Sequence, residues 1–369
     1  MLIHETPFPY AHVGNPMMIK VKKGTPDEVV FKISILGKDH FFSSFPYWNP
    51  DIEEWVFGFD LAAFLSPLFH DKNIMFVGYD FTLNAENSVV GYAVRGGISK
   101  REFMQLKKMD SEIFSYRLLS AERQFLLTTR TQSNTINIKR GELRYIYFFR
   151  DPNNNITFSA TGVTSEVFAA AQFDLECFDA VQWMGATQVN QITITKGTHT
   201  TTINIIDSVS DNQILLMFRN SLGVFEYIQL TGKAEQSSSI EKEEIEVYDE
   251  GYGDFQKLNK RGVLKEGIEA QSGYRDYDGL IFIKDMLMSD EVYLITGTEE
   301  LPCRVSAKDF RVPQVINTPQ SIQVTIEMAD EERNYTDETP VQAGPVPPII
   351  SEDILLTPSG SAIFAYITV

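Results

Sequence analysis

The chain has 369 residues, of which 43% are hydrophobic, and a formal net charge of −18 at neutral pH. The apolar fraction is enough for packed cores and excludes a disordered chain. The acidic balance argues against a nucleic-acid binder or a ligand of anionic membranes, both of which need concentrated Lys and Arg.

With 26 Phe and 15 Tyr, and with Val, Ile and Thr in short runs, the sequence favours strands over helices. A chain of this length suggests about two to four domains. Residues 1–99 read as one β domain. Met17–Val21, Val29–Ile35, Trp55–Phe59, Ile74–Val77 and Val89–Val94 are strand-like, and Pro7, Pro9, Pro16, Gly24 and Pro26 punctuate them. Asp60 is placed to cap a short helix, Leu61–Leu65, ended by Pro67. Phe45-Pro-Tyr-Trp-Asn-Pro50 reads as a turn carrying exposed aromatics. Arg95-Gly-Gly-Ile-Ser99 suits a sharp turn at a domain exit, and residues 100–118 read as a helical, basic connector.

An internal repeat follows. Residues 124–138 align without gaps to 191–205 at an offset of 67, with seven of fifteen positions identical, including a shared Thr-Ile-Asn-Ile block. After each copy comes a hairpin-like stretch: Tyr145–Arg150 and Ile156–Ala160 around Asp151–Asn155, then Ile214–Arg219 and Val224–Leu230 around Asn220–Gly223. Both carry Phe-Arg-Asp/Asn before the turn and Thr-Gly after it. Two copies are too few for a solenoid; they fit two tandem β modules or two halves of one pseudo-symmetric sandwich.

The best break lies after Gly232, where a Ser-rich polar stretch leads into eight acids against one lysine between Glu235 and Asp254. Those carboxylates do not fall into a spaced ligand loop and read as a solvated linker entering an edge strand. Residues 255–333 read as a small α+β domain in which Asp278 caps a helix, Gly279–Met288. The tail from Asn334 is Pro-rich and stiff. It ends in an apolar strand, Ala362–Val369, suited to pairing on its own chain or adding to a neighbour.

Catalytic patterns are not evident. The five histidines show no helical metal spacing, and the sequence has no nucleophile elbow, phosphate loop or dinucleotide fingerprint. Asp151-Pro-Asn-Asn-Asn155 begins like a calcium loop but lacks its Gly and Glu. Two cysteines, Cys177 and Cys303, are too few for a disulfide framework or a four-cysteine zinc site and read as buried free thiols. No metal, cofactor or catalytic residue is expected. Paired carboxylates that meet only in the fold remain a route to a hydrolase.

Asn15-Pro-Met-Met-Ile19, Arg95–Ser99, Asn220–Gly223 with Thr231-Gly232, Ser272-Gly273 and Asp285–Ser289 together resemble uncharacterised β-rich structural proteins from prophage gene clusters of gut bacteria, that is, phage tail or baseplate components. The resemblance spans most of residues 15–330. It implies a structural or adhesive role in an assembly. The N-terminus lacks a secretory signal and no run approaches the roughly 20 apolar residues of a transmembrane helix, so synthesis in the cytoplasm and release with a virion or tail-like particle are expected.

The expected fold is mainly β: tandem β-sandwich-like domains with an internal two-copy repeat, followed by a small α+β domain. The expected divisions are 1–99, 100–162, 163–232, 233–333 and 334–369. The expected function is non-enzymatic and structural or adhesive, in a phage-tail-like or surface assembly. A carbohydrate-binding surface protein is the alternative, and a tail-associated hydrolase ranks third. The expected partners are other subunits or the chain itself, and a cell-surface glycan, without nucleic acid or membrane insertion. Tyr47 and Trp48 are the candidate ligand-stacking rings; Ile363, Phe364, Tyr366 and Ile367 form the candidate oligomerisation strand.

Overall fold

Alternating strands with one apolar face build sheets that must bury that face against another layer. The computed structural model describes residues 2–5, 10–50, 53–71, 74–83, 87–98, 100, 103–104, 125–130, 134–150, 152–171, 174–207, 213–241, 244–249, 251, 254–259, 263–297, 299–311, 319–329, 355–356 and 362–363. Most of the connector 100–118 and most of the Pro-rich tail lie outside these residues.

The first body is a β-sandwich made from nine strands: β1 (Leu2–Glu5), β2 (Tyr10–His12), β3 (Met18–Lys23), β4 (Val29–Ile35), β5 (Lys38–Ser44), β6 (Tyr47–Asn49), β7 (Glu54–Asp60), β8 (Phe76–Leu83) and β9 (Asn87–Val94). One sheet runs β1-β3-β7-β6 and the other β2-β9-β8-β4-β5. Ile19, Val21 and Phe57 of the first face Phe31, Ile33 and Phe81 of the second in a single core. The segment expected as a turn with aromatics is in part a strand, because Tyr47–Asn49 pairs with Glu54–Val56. The helix α1 (Leu61–Asp71) runs past Pro67 rather than stopping there. Leu61, Leu65 and Phe69 are buried on its inner face, and that burial outweighs the hydrogen bond a proline forfeits.

The second body contains β10 (Thr135–Lys139), a single 3-10 turn (Arg140–Glu142), β11 (Tyr145–Arg150), β12 (Ile156–Ala160), β13 (Val163–Phe168), β14 (Asp174–Asp179), α2 (Ala180–Met184), β15 (Gln191–Lys196) and β16 (His199–Ile206). A five-stranded sheet, β10-β16-β15-β12-β13, packs over the pair β11-β14. The internal repeat has a direct structural meaning here. β10 lies parallel to β16 with Thr135 beside Thr202, Ile136 beside Ile203, Asn137 beside Asn204 and Ile138 beside Ile205. The 67-residue offset is therefore the register of two neighbouring strands. The first hairpin-like stretch is not a hairpin: β11 pairs with β14, while β12 pairs with β13 and β15. Its turn carries the chain between sheets, because Phe148 and Phe158 both fill the core between the layers. Cys177, expected to be buried, is exposed. Alternation along β14 turns its neighbour Phe178 into the core instead.

The second stretch is a true hairpin, β17 (Ile214–Arg219) with β18 (Phe225–Leu230), register Arg219 opposite Phe225. Next come β19 (Ala234–Glu241), a separate hairpin of β20 (Glu244–Asp249) with β21 (Asp254–Asn259), β22 (Val263–Gln271), α3 (Tyr277–Met288), β23 (Val292–Thr296), β24 (Glu299–Ser306) and β25 (Gln323–Met328). A seven-stranded sheet, β18-β17-β23-β24-β25-β22-β19, thus takes strands from both sides of Gly232. Leu280, Phe282, Ile283 and Met286 of α3 share its core. Asp276, not Asp278, caps α3, accepting from the Gly279 amide at 2.8 Å. Residues 242–264 and 332–369 form a second compact unit. Within it, β26 (Leu355–Leu356) pairs with β27 (Ala362–Ile363).

The exit of the first sandwich meets the β17–β18 turn backbone to backbone, the Gly97 amide donating to Ser221 O at 2.7 Å. Gly96 and Gly223 have φ of +96° and +89°. A Cβ at Gly223 would collide with the Arg95 carbonyl, and one at Gly96 with Ser221 O. Gly223→Ala therefore combines a left-handed backbone with a backbone clash. Thermal unfolding followed by circular dichroism should show this variant losing well over 1 kcal/mol (about 1–3 for the backbone strain alone), whereas Gly24→Ala, in open space, should leave the transition in place.

Candidate functional site

Three features are candidates for function: the junction where three β bodies meet, an aromatic edge on the first sandwich, and the outer face of the second.

The junction is built around the β17–β18 turn. Asn220 closes the turn through its backbone and side chain, Val224 N donating to Asn220 Oδ1 at 3.2 Å. Its Nδ2 reaches outward to Leu127 O at 3.1 Å and Glu226 Oε2 at 2.6 Å. Glu226 also accepts from Thr128 Oγ1 at 2.6 Å and the Thr129 amide at 3.2 Å, which ties residues 125–130 to the hairpin. Arg219 donates to Glu291 Oε2 at 2.7 Å through Nη2 and at 2.9 Å through Nε, and Arg95 of the first sandwich pairs with the same carboxylate. Asp285 of α3 accepts from Thr129 Oγ1 at 2.7 Å and from the Ser221 amide at 3.1 Å.

Beneath this lies Glu142, whose side chain is fully buried. It accepts from Arg130 Nη1 at 2.7 Å, Arg275 Nη2 at 2.8 Å and the Gln229 amide at 2.9 Å. Arg130 also lies over the Phe282 ring at 4.0 Å and donates to Tyr227 O. Burial alone would push the Glu142 carboxyl up, but the Arg130 and Arg275 guanidiniums and the Gln229 amide bring it down to about 2. Glu226 goes the other way. Burial dominates and raises it, because Arg130 lies 3.6 Å away and is shared with Glu142. Lys139 is depressed to about 8, first by burial and then by the Arg275 charge, and donates to Thr231 Oγ1 at 2.8 Å. His12, buried at the edge of the same junction, is lowered to about 4 by burial and donates from Nδ1 to Arg95 O at 3.2 Å.

The motif residues singled out in sequence converge here. Asn15 bonds Ile98 in both directions at 2.8 Å, and Gly96, Gly97, Asn220–Gly223, Thr231, Gly273 and Asp285 all touch this junction or its rim. Sequence reading missed Arg130, Glu142, Arg275 and Glu291. Isolated charges among strands give no local signal of being buried.

The aromatic edge is the second feature. Phe41 (71% exposed), Phe45 (70%), Tyr47 (55%) and Trp48 (48%) fall within eight residues on β5, β6 and their link. Tyr47 sits opposite Val56 and Trp48 opposite Trp55, so the two rings project to opposite faces of the strand. Trp48 packs edge-on against Trp55, centroids 5.5 Å apart. Of the C-terminal candidates, Ile363 pairs with Leu355 of its own chain; Phe364, Tyr366 and Ile367 lie outside the described residues.

The third feature is polar. On the outer face of the five-stranded sheet, pairing aligns Asn137, Asn204 and Gln191 in one row, and Thr135, Thr202, Thr193 and Ser159 in the next. A third row holds Thr200, Thr195 and Thr157. The first row is a hydrogen-bonded amide ladder: Gln191 Nε2 donates to Asn204 Oδ1 at 3.1 Å, and Asn204 Nδ2 to Asn137 Oδ1 at 3.2 Å. The inner face of the same strands is Ile and Phe.

Among the described residues no group of three or more His, Cys, Asp or Glu is placed to hold a metal ion, and no helix is long and apolar enough to cross a membrane. No protein-family model and no curated protein matches the chain. Two solved structures align over much of it. A bacterial 1.5-MDa ice-binding adhesin, studied for host cell surface retention, matches at 9% identity and TM-score 0.16, covering 73% of this chain and 92% of that one. The Dpr2 Ig1–Ig2 complex with DIP-Theta Ig1–Ig3 matches at 9% identity and TM-score 0.18, covering 89% and 88%. Similarity at this level establishes neither a shared fold nor a shared role.

The two buried carboxylates make opposite predictions. Glu142 is stabilising above the ordinary carboxylate range and loses that contribution as pH falls from about 4.5 to about 2. Glu142→Gln should cost about 3–5 kcal/mol in urea denaturation at pH 7, because it leaves two arginines underpaired, and the deficit should shrink at pH 3. Glu226, with its proton held more tightly in the fold than in the unfolded chain, adds stability as pH falls. Glu226→Gln should leave the pH 7 midpoint unchanged or raised.

Proposed function

We propose that this chain is a non-enzymatic structural or adhesive subunit of a phage-tail-like or surface assembly. The observation that supports this reading is the junction itself. Three β bodies meet through buried ion pairs and close backbone-to-backbone contact, so surfaces on different bodies keep a set orientation. A subunit that must hold its neighbours in a defined geometry needs such a junction. Residues of the motifs that resemble phage tail and baseplate components, among them Gly96, Gly97, Asn220–Gly223 and Asp285, are part of it. Partners, in this reading, are other subunits or further copies of the chain.

Carbohydrate binding is the second reading, and the aromatic edge favours it. Four exposed rings in eight residues form an unusual concentration for a solvated edge, and rings of this kind stack on sugars.

Light scattering over a concentration series separates the two. The assembly reading expects a defined closed oligomer, shifted to smaller species by Tyr47→Ala with Trp48→Ala if the aromatic edge is its contact. A single 41.9 kDa species at every concentration would overturn self-assembly. Loss of glycan retention in the same double variant, with unchanged mass, would establish the second reading.

A further inference from the structure

We propose that the outer face of the β10-β16-β15-β12-β13 sheet binds an extended, uncharged polysaccharide. This surface is separate from the aromatic edge, and the inference stands apart from both readings above.

The argument begins with the repeat. Because β10 and β16 carry the same Thr-Ile-Asn-Ile block in parallel register, like residues stand side by side and each polar position is duplicated. Continuing across β15 and β12, the rows become a two-dimensional array of hydroxyls and amides. Strand geometry spaces it at about 4.8 Å between strands and about 6.8 Å along each strand, a scale comparable with a sugar ring.

The chemistry of the array selects the occupant. Every group in it both donates and accepts hydrogen bonds, as sugar hydroxyls do. None is charged, in a chain of net charge −18. Next to the amide row β10 and β16 set Lys139 opposite Ile206; Lys139 is engaged with Thr231 Oγ1 at 2.8 Å, and Arg140, which follows it, pairs with Asp207. An acidic polymer therefore finds no free cation in the rows. The exposed apolar side chains on this face, Val167 opposite Thr157 and Ile206 at the end of β16, stand at its margins, so a second copy stacking its own sheet here would find no apolar centre of the kind such interfaces carry. The amide ladder fixes its side chains before any ligand arrives, which lowers the ordering cost of binding. The far edge of the sheet is guarded: β13 carries a bulge and Trp183 Nε1 donates to Thr164 O at 2.9 Å. That arrangement directs contact to the face rather than the edge.

Affinity electrophoresis of the full chain tests this, in gels containing dextran, α-mannan, galactan or linear β-glucan, with alginate as the acidic comparison. The expected result is retardation in at least one neutral gel and none in alginate. The variant Thr135→Val/Thr193→Val/Thr202→Val removes the central hydroxyls while keeping shape and strand propensity. It should weaken retention on the order of tenfold or more. Thr202→Lys, a single change with a milder folding burden, should weaken it as well. Tyr47→Ala with Trp48→Ala should leave it unchanged. No retardation across the neutral panel would overturn the proposal, as would retention unaffected by both threonine variants. Retention lost only with Tyr47 and Trp48 would assign sugar binding to the aromatic edge and overturn it equally.

Discussion

One carboxylate held between two guanidiniums organises this molecule. Glu142 leaves the second sandwich on a single 3-10 turn, Arg130 comes from the segment preceding that sandwich, and Arg275 comes from the α+β body, 133 residues away. Each ion alone would be costly to bury. Together, with the Gln229 amide completing the carboxylate's bonds, they are tolerable only when both bodies are in place. Removing any one strands the others in a low-dielectric interior. That asymmetry, more than the net worth of the pairs, gives the junction its selectivity for one arrangement.

The β17–β18 turn adds a second kind of constraint. Ionic pairs have some reach and tolerance, whereas backbone packed on backbone has little. Gly96 and Gly223 let the first sandwich approach so closely that neither position accommodates a side chain. Arg95 and Arg219, sharing Glu291, flank that contact. The hairpin is at once the edge of the seven-stranded sheet, the seat for the first sandwich and, through Asn220 and Glu226, the anchor for residues 125–130. A surface on one of these bodies is therefore presented at a set angle to surfaces on the others. The structural reading of the chain rests on that feature, and it also makes the aromatic edge and the polar face candidates for contact with something outside the chain.

The repeat shows how much a sequence pattern conveys and where it misleads. Identity at an offset of 67 signals duplicated β structure, and the two Thr-Ile-Asn-Ile blocks are indeed strands. Their alternation assigns isoleucines inward and threonines outward. The same similarity suggests matched hairpins, and there it fails. Phe148 and Phe158 are drawn into one core from opposite layers, so the first pair of strands separates into two sheets while the second pair stays joined. Local turn residues cannot distinguish a hairpin from a sheet-to-sheet crossing, because Asn-bearing turns reverse or redirect the chain in both.

What the sequence determined by itself was local: the β character, five of the nine strands of the first sandwich in whole or in part, the helix within 277–288, the sharp glycine exit and the Asn-Ser-Leu-Gly turn. These follow from side-chain alternation, from Gly at positive φ, and from capping carboxylates, all of which act over a few residues. Tertiary structure alone decided which strands are neighbours, that Pro67 stays within its helix, that Cys177 faces outward, and that Arg130, Glu142 and Arg275 meet. The physical reason is range. Burial and charge pairing depend on segments brought together from more than a hundred residues apart, and a lone arginine between two strands has the same local sequence signature whether it ends in solvent or at the centre of a junction.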